Sequence, residues 1–228
     1  MKNMKLFLRD FPFFTDLEEE DLEKIAPFFI ARSYDKGANV FFEGEEGDEL
    51  FMIESGIVKI YKADDSREII LAIFSEGDFF GEMAVLENEQ VRSASAKTME
   101  KTTLYALKRH DFLALMNDNP QITIKIMETA MERLRRANHL ITDLTKMDIR
   151  TRIARGLLRL AEDHGVRRKD GILIDLKLTH QQVADMTGTV RETVTRIMLE
   201  LQNQNIIKVD KKKIFICDID KFEKMAGA

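Results

Sequence analysis

Thiol chemistry is almost absent from this chain, whose 228 residues include a single cysteine, Cys217. That excludes an intrachain disulfide, a CxxC redox pair and a four-thiolate zinc or iron–sulfur site. Long apolar runs are missing too: no unbroken stretch approaches the roughly 18 residues that would suggest a membrane span. Residues Met1 to Asp10 lack the basic, apolar, small-residue order of a signal peptide. A soluble, cytoplasmic protein with no membrane partner is the expectation. Histidine is scarce where metal chemistry would need it, since residues 1–129 hold His110 alone and no cysteine. Clustered-histidine catalysis, haem ligation and cluster ligation are therefore unsupported, and no enzyme is expected.

What is present is unevenly distributed. The formal net charge is -5, but residues 1–129 carry 15 Lys+Arg against 26 Asp+Glu, whereas residues 130–213 carry 18 against 11. An acidic front half would be repelled by phosphate and the later segment could neutralise it, so any nucleic-acid contact is placed after about residue 130. Two solvated surfaces of unequal charge would read the same way. With 44% hydrophobic residues the chain can build two modest cores.

Residues 16–29 space Leu17, Leu22 and Ile25 as a short amphipathic helix. From Tyr34 to Leu107 the period changes to short β-branched and aromatic runs, Val40–Phe42, Leu50–Ile53, Ile57–Tyr61, Ile69–Phe74 and Thr103–Leu107, separated by Gly-containing turns. That pattern predicts a sandwich or barrel of short strands. Asn119-Pro120 reads as an N-cap followed by Pro at the first helical position. Beyond it Thr123, Met127, Ala130, Leu134, Ala137, Ile141 and Leu144 alternate steps of four and three, a heptad seam. Such a narrow stripe fits a partner helix better than the chain's own sheet. A further helix is predicted over about 149–162, closed by His164-Gly165. A compact helical unit over 178–203 and two strands near 206–209 and 214–217 follow.

In that unit Thr179 with Gln182, and Thr189 with Glu192, each have capping-box spacing, and Gly188 stands between the two helix starts. Two helices crossing at a Gly turn make a helix-turn-helix. Val194, Ile197, Met198 and Leu201 would face the core, leaving Arg191, Glu192, Thr195 and Arg196 outward. These residue types can read base edges, Arg by a bidentate fork on guanine and Glu by accepting from cytosine. Glu192 could equally cap the helix or pair with Arg196. Lys211, Lys212 and Lys213 suit phosphate contact or simple solvation. Earlier, the segment Gly81-Glu82-Met83-Ala84, followed by Arg92-Ser93, combines a turn, an acid for a ribose hydroxyl and an Arg-Ser pair for a phosphate. A surface Glu82–Arg92 pair is the plainer alternative.

Three segments in order, FSEGDFFGEMAVLENEQVRSASA, LRRANHLITDL and LTHQQVADMTGTVRETVTRIM, closely resemble the cyclic AMP receptor protein and fumarate–nitrate regulator family. The resemblance implies an α+β architecture: a jelly-roll-like cyclic-nucleotide β-roll (1–118), a central dimerisation helix (119–147) and a winged helix-turn-helix (148–228). It places Gly81, Glu82, Met83, Ala84, Arg92 and Ser93 in a phosphate-binding cassette, with Glu82 on the ribose 2′-OH and Arg92 and Ser93 on the cyclic phosphate. It implies a cyclic nucleotide as effector, cAMP first, with no metal, haem or iron–sulfur cluster; the same architecture sensing another effector or none is the nearest alternative, and a cyclic-nucleotide module that does not act on DNA is a further one. Ala137-Asn138 stands where relatives that bind cAMP commonly have Thr then Ser or Asn beneath the adenine. Ala137 thus lacks a hydroxyl while Asn138 can still donate and accept. On the DNA side Arg191, Glu192 and Arg196 match the family's base-reading triplet, flanked by Val190 and Thr195. Thr179, His180, Gln181 and Lys211–Lys213 match phosphate-touching positions. A homodimer on an inverted repeat with half-sites resembling TGTGA is implied, as is RNA polymerase as a partner.

Overall fold

A computed structural model of the protein describes residues 4–63, 67–87 and 89–227. A first compact unit runs to Arg135, apart from Arg67–Ile69, which group with a second that otherwise begins at Arg136.

The first unit starts with helices α1 (Met4–Asp10) and α2 (Glu19–Ile25). Strands β1 (Phe29–Tyr34), β2 (Asn39–Phe41), β3 (Glu49–Ser55), β4 (Val58–Ala63), β5 (Glu68–Phe74) and β6 (Phe79–Phe80) follow, then the short helix α3 (Glu82–Leu86) and strands β7 (Ser95–Thr98) and β8 (Thr102–Lys108). They form two four-stranded sheets, ordered β1-β8-β3-β6 and β2-β7-β4-β5. The strand period of two explains the near-continuous apolar runs of β3 and β8. Phe51, Ile53, Leu104 and Ala106 face a core shared with Val58 and Ala96 of the other sheet. Their neighbours Leu50, Met52, Tyr105 and Leu107 face a second core with Phe7, Phe11, Phe14 and Phe112. Both faces of this sheet are covered, so polar alternation has no place in its central strands.

Helix α4 (Arg109–Asp118) and the first turns of α5 (Pro120–Lys146) close over that second core through Phe112, Leu115, Ile122 and Ile126. Pro120 does open α5, but Asn119 is not its side-chain cap. Its Nδ2 donates back to the Leu115 carbonyl at 3.0 Å, closing α4 instead. Ile122 and Ile126 lie outside the heptad seam, which is left uncovered: Met127, Leu134, Ile141 and Leu144 are 58%, 54%, 60% and 44% exposed.

The second unit continues from the end of α5 through α6 (Ile149–His164), β9 (Gly165–Arg168), β10 (Gly171–Ile174), α7 (His180–Thr187), α8 (Arg191–Asn203), β11 (Ile207–Asp210), β12 (Lys213–Ile216) and α9 (Ile219–Ala226). Its sheet is ordered β11-β12-β10-β9, so the two expected strands are joined by a hairpin absent from the sequence reading. As expected, α6 ends at His164 with Gly165 at its C-cap; Gly165 is extended, with φ -87°, and starts β9. Asp148 caps the start of α6, accepting from the Thr151 backbone N–H at 3.0 Å. Asp143 of α5 is 1% exposed and pairs with Arg155 at 3.0 Å and Arg159 at 2.8 Å, which ties the last turns of α5 to α6.

Candidate functional site

Gly81 carries the chain from β6 into α3 with φ +85°, and a Cβ there would lie 2.8 Å from Arg92 Nη1. Both the left-handed backbone and the close approach of that guanidinium require glycine. Arg92 is 5% exposed. Its Nη1 donates to the Gly81 carbonyl at 3.0 Å and its Nη2 to the Glu49 carbonyl at 2.9 Å. The guanidinium lies over the Phe41 ring, 4.2 Å from its centroid, and Nε is buried without a hydrogen-bond partner among the described residues. Among the described residues no carboxylate forms an ion pair with it. Burial pushes the Arg92 pKa below the usual arginine value, opposed by the charges of Asp48, Glu49, Glu45 and Glu82. A buried cation without its own carboxylate is a place where an incoming anion is stabilised.

Glu82 does not pair with Arg92. Its Oε1 accepts from Nη1 of Arg133, on α5, at 3.0 Å, and Nη2 of Arg133 donates to the Phe79 carbonyl at 2.6 Å. Arg133 also sits 4.3 Å and 4.4 Å from the ring centroids of Phe74 and Phe79. Ser93 is exposed and its hydroxyl donates to the Met83 sulfur at 3.4 Å, while Ala84 is buried. Gly81, Glu82, Met83, Ala84, Arg92 and Ser93 thus line one cavity of about 160 Å³, together with Phe41, Phe74, Phe80 and Arg133. That volume is below the roughly 300–1,000 Å³ of sites for small organic ligands, and the longest side chains lining it are Arg92 and Arg133. Arg133 belongs to no motif in the sequence; it is a charged residue beside the seam residue Leu134. Its partner Glu82 is 51 residues away, and no local spacing could join them. Ala137 and Asn138 are exposed on α5, one turn further on and in the second unit, and the Asn138 carbonyl accepts from Thr142 Oγ1 at 3.0 Å.

In the second unit the Thr179 capping box is formed: Gln182 N–H donates to Thr179 Oγ1 at 3.1 Å and Thr179 N–H to Gln182 Oε1 at 2.8 Å. Gly188 follows α7 with φ +64°, and a Cβ on it would lie 2.9 Å from Leu144 Cδ2. Arg152 donates to the carbonyls of Thr187 at 3.1 Å and Gly188 at 3.2 Å, placing positive charge at the negative end of α7. The second capping box is not formed. Thr189 N–H bonds the Ala184 carbonyl at 3.1 Å and so belongs to the closure of α7. The residue preceding α8 is then Val190, with no side-chain cap, and Glu192 is the second helical residue instead of the third.

Val194, Ile197, Met198 and Leu201 are buried and Arg191, Glu192 and Arg196 exposed, as the helical period requires. Arg191, Glu192, Thr195 and Arg196 line one groove along α8. Arg196 pairs with Glu200 at 3.1 Å, not with Glu192. Thr195 Oγ1 lies 2.8 Å from His180 Nδ1, linking α7 to α8, and Gln181 Nε2 donates to Asp185 at 2.7 Å. Asp210 pairs with Lys213 across a two-residue turn whose central residues Lys211 and Lys212 have φ +46° and +68°. This turn favours Asn-Gly, and holding an L-residue left-handed costs roughly 1–2 kcal/mol. Lys213 is committed to Asp175, while Lys211 and Lys212 are exposed.

Residues 31–119 match the cyclic nucleotide-binding domain model and residues 151–225 the Crp-like helix-turn-helix domain model. The chain is 31% identical over 216 residues to the cyclic AMP receptor protein of Thermus thermophilus, covering 94% of this chain and 96% of that one. It is 30% identical over 207 residues to the anaerobic regulatory protein of Bacillus subtilis, covering 90% and 87%. Among solved structures, a CooA variant from Carboxydothermus hydrogenoformans superposes with TM-score 0.75 at 25% identity, covering 88% of each chain.

Proposed function

The chain belongs to the CRP/FNR family of transcription regulators, and on that premise we propose that a cyclic nucleotide, cAMP first among them, occupies the Gly81–Ser93 cavity and controls binding to an inverted-repeat DNA site. DNA binding and dimer formation come with the family. The observation that carries the effector reading is Arg92, a guanidinium 5% exposed with no carboxylate of its own among the described residues. A cyclic phosphodiester has one negative charge and acceptor oxygens for such a group. Ser93, which now donates to a thioether, would turn to the same phosphate. Glu82 would take the ribose 2′-OH once Arg133 yields one of its contacts. The Thermus relative is named for cyclic AMP and the Bacillus relative for anaerobic regulation. Ala137 lacks the hydroxyl that would favour adenine, and Asn138 is the remaining polar group for a base.

The working unit would comprise a sensory roll over 1–118, a dimerising helix over 119–147 and a DNA-binding segment over 148–228, in the cytoplasm and in contact with RNA polymerase. The uncovered seam of α5 supports pairing with a second copy, since an exposed apolar stripe at heptad spacing is stabilised by the same stripe on a partner. Arg191, Glu192 and Arg196 would read bases, with Val190 and Thr195 beside them. Thr179, His180, Gln181 and the Lys211–Lys213 turn would hold phosphates. In a dimer the two copies of α8 must lie about 34 Å apart, one DNA turn. The break between α5 and α6 at Met147–Asp148 is where a change in helix pairing would alter that distance.

Calorimetry with cAMP, cGMP and cyclic di-GMP on protein stripped of endogenous ligand, followed by DNA titration at fixed salt, tests both halves. Micromolar or tighter binding of one nucleotide that raises affinity for an inverted repeat is expected. Arg191→Ala should lower affinity for that duplex selectively, whereas Lys212→Ala should weaken all duplexes alike and flatten the salt dependence. No heat with any nucleotide would remove the effector reading. Equal losses on cognate and scrambled duplexes for Arg191→Ala would remove the base-reading role.

A further inference from the structure

Glu200 is one turn beyond Arg196 on α8 and accepts from two guanidinium groups. Its Oε1 bonds Arg196 Nη1 at 3.1 Å, and its Oε2 bonds Arg150 Nη1, in the first turn of α6, at 3.4 Å. The carboxylate lines the same groove as Arg191, Glu192 and Thr195. An acid on a face that meets phosphates opposes binding by charge alone, so its position calls for a role other than affinity. It does not stabilise the fold much either: the side chains of Glu200, Arg196 and Arg150 are 36%, 67% and 41% exposed, and exposed pairs contribute little.

What the pairing does change is the freedom of Arg196. Arginine has a long flexible stem and a planar fork with five donors, and discrimination between bases depends on presenting two of those donors in the right plane. One Nη held by Glu200 restricts the fork while leaving donors for a base. An i,i+4 pair alone would let both side chains sweep together. Arg150 prevents that by fixing the carboxylate from a different helix, next to Asp148, which caps that helix.

We infer that Glu200 is a specificity-determining positioning residue, which holds the Arg196 fork for base reading and is itself held by Arg150. The inference rests on α8 being the base-reading helix. It also makes the start of α6 part of the reading machinery, because a shift of α6 against α8 would loosen the anchor of Arg196 and leave Arg191 untouched.

The test uses the full-length protein with its activating nucleotide, or without one if none is found. Fluorescence anisotropy is measured on the inverted repeat that the wild type selects from a randomised pool, and on duplexes substituted one base pair at a time in both half-sites. Arg191→Ala and Arg196→Ala first identify the positions each side chain reads. Glu200→Ala should then reduce discrimination at the Arg196 position by about fivefold or more, a fraction of what a complete bidentate contact supplies. Discrimination at the Arg191 position should stay within about twofold, and affinity for non-specific DNA should rise. Arg150→Ala should give the same selective loss in weaker form, and Glu200→Gln, which keeps an acceptor oxygen, should recover part of it. Thermal unfolding should be unchanged in all three. An unaltered discrimination profile, or equal loss at both positions, would overturn the positioning role. If Arg191→Ala and Arg196→Ala themselves showed no position-specific loss, the base-reading premise would fail instead.

Discussion

Replacing Arg92 by methionine separates its two jobs. Met keeps an unbranched apolar stem against Phe41 and removes the charge and all five donors. On the ligand side, truncating one partner of a buried, hydrogen-bonded charge pair costs about 2–5 kcal/mol, or roughly a 30- to several-thousand-fold rise in Kd. On the folding side two opposed effects meet. The carbonyls of Gly81 and Glu49 lose donors at 3.0 Å and 2.9 Å, about 1–3 kcal/mol each where no other donor replaces them. Against that, a guanidinium 5% exposed and unpaired among the described residues no longer has to be desolvated. The net change in stability should stay within about 2 kcal/mol, a shift of less than about 10 °C in Tm. Calorimetry on ligand-free protein, with circular dichroism melting beside it, reads both quantities. Arg92→Lys should be intermediate, since it keeps the charge but not the fork. A folded Arg92→Met protein that binds the wild-type nucleotide within about fivefold would refute the phosphate-clamp reasoning.

Leu134→Asp places a carboxylate on the exposed seam of α5, where two-fold pairing would repeat it across the axis; light scattering at low micromolar concentration should show the dimer largely dissociated. Asp143→Leu leaves Arg155 and Arg159, which are 25% and 30% exposed in their side chains, without their shared carboxylate. Loss of a buried pair costs about 3–5 kcal/mol when the orphaned charge stays buried, and partial exposure of both arginines reduces this to about 2–3 kcal/mol, measurable by urea unfolding. Tyr105 donates to Glu54 at 3.0 Å, and burial, then that bond, pushes its pKa up to about 12. Because the folded value lies above the unfolded one, its stabilisation is complete below about pH 10 and is lost as pH rises towards 12, about 2–3 kcal/mol in all. Phenolate absorbance during alkaline titration should show a late-ionising step in the wild type that is missing from Tyr105→Phe; identical high-pH limbs apart from amplitude would contradict it.

The elements best marked in the sequence are those whose signal is local. The seam of α5 repeats every three or four residues, the Thr179–Gln182 box spans three, and Gly188 stands where the turn needs a left-handed backbone, so each is settled by neighbours along the chain. The cassette residues likewise lie within one short segment, 81–93, in two runs, and all six line one cavity. Helix α1 and the hairpin β9–β10 escaped because their stability comes from packing and pairing with distant segments, Phe7 against Tyr105 and Ile172 against Ile216. Thr189 shows how a correct local pattern is overruled. Its spacing to Glu192 suits a capping box, but its N–H is already taken by the end of α7, and one backbone group cannot serve two helices. The partners of the charged residues were beyond sequence reading altogether. Whether Glu82 meets Arg92 or Arg133, and whether Arg196 meets Glu192 or Glu200, depends on side-chain directions set by burial. The chain alone determines which residues carry charge and at what spacing; only the packed structure decides which opposite charge, and which desolvated space, each one finds.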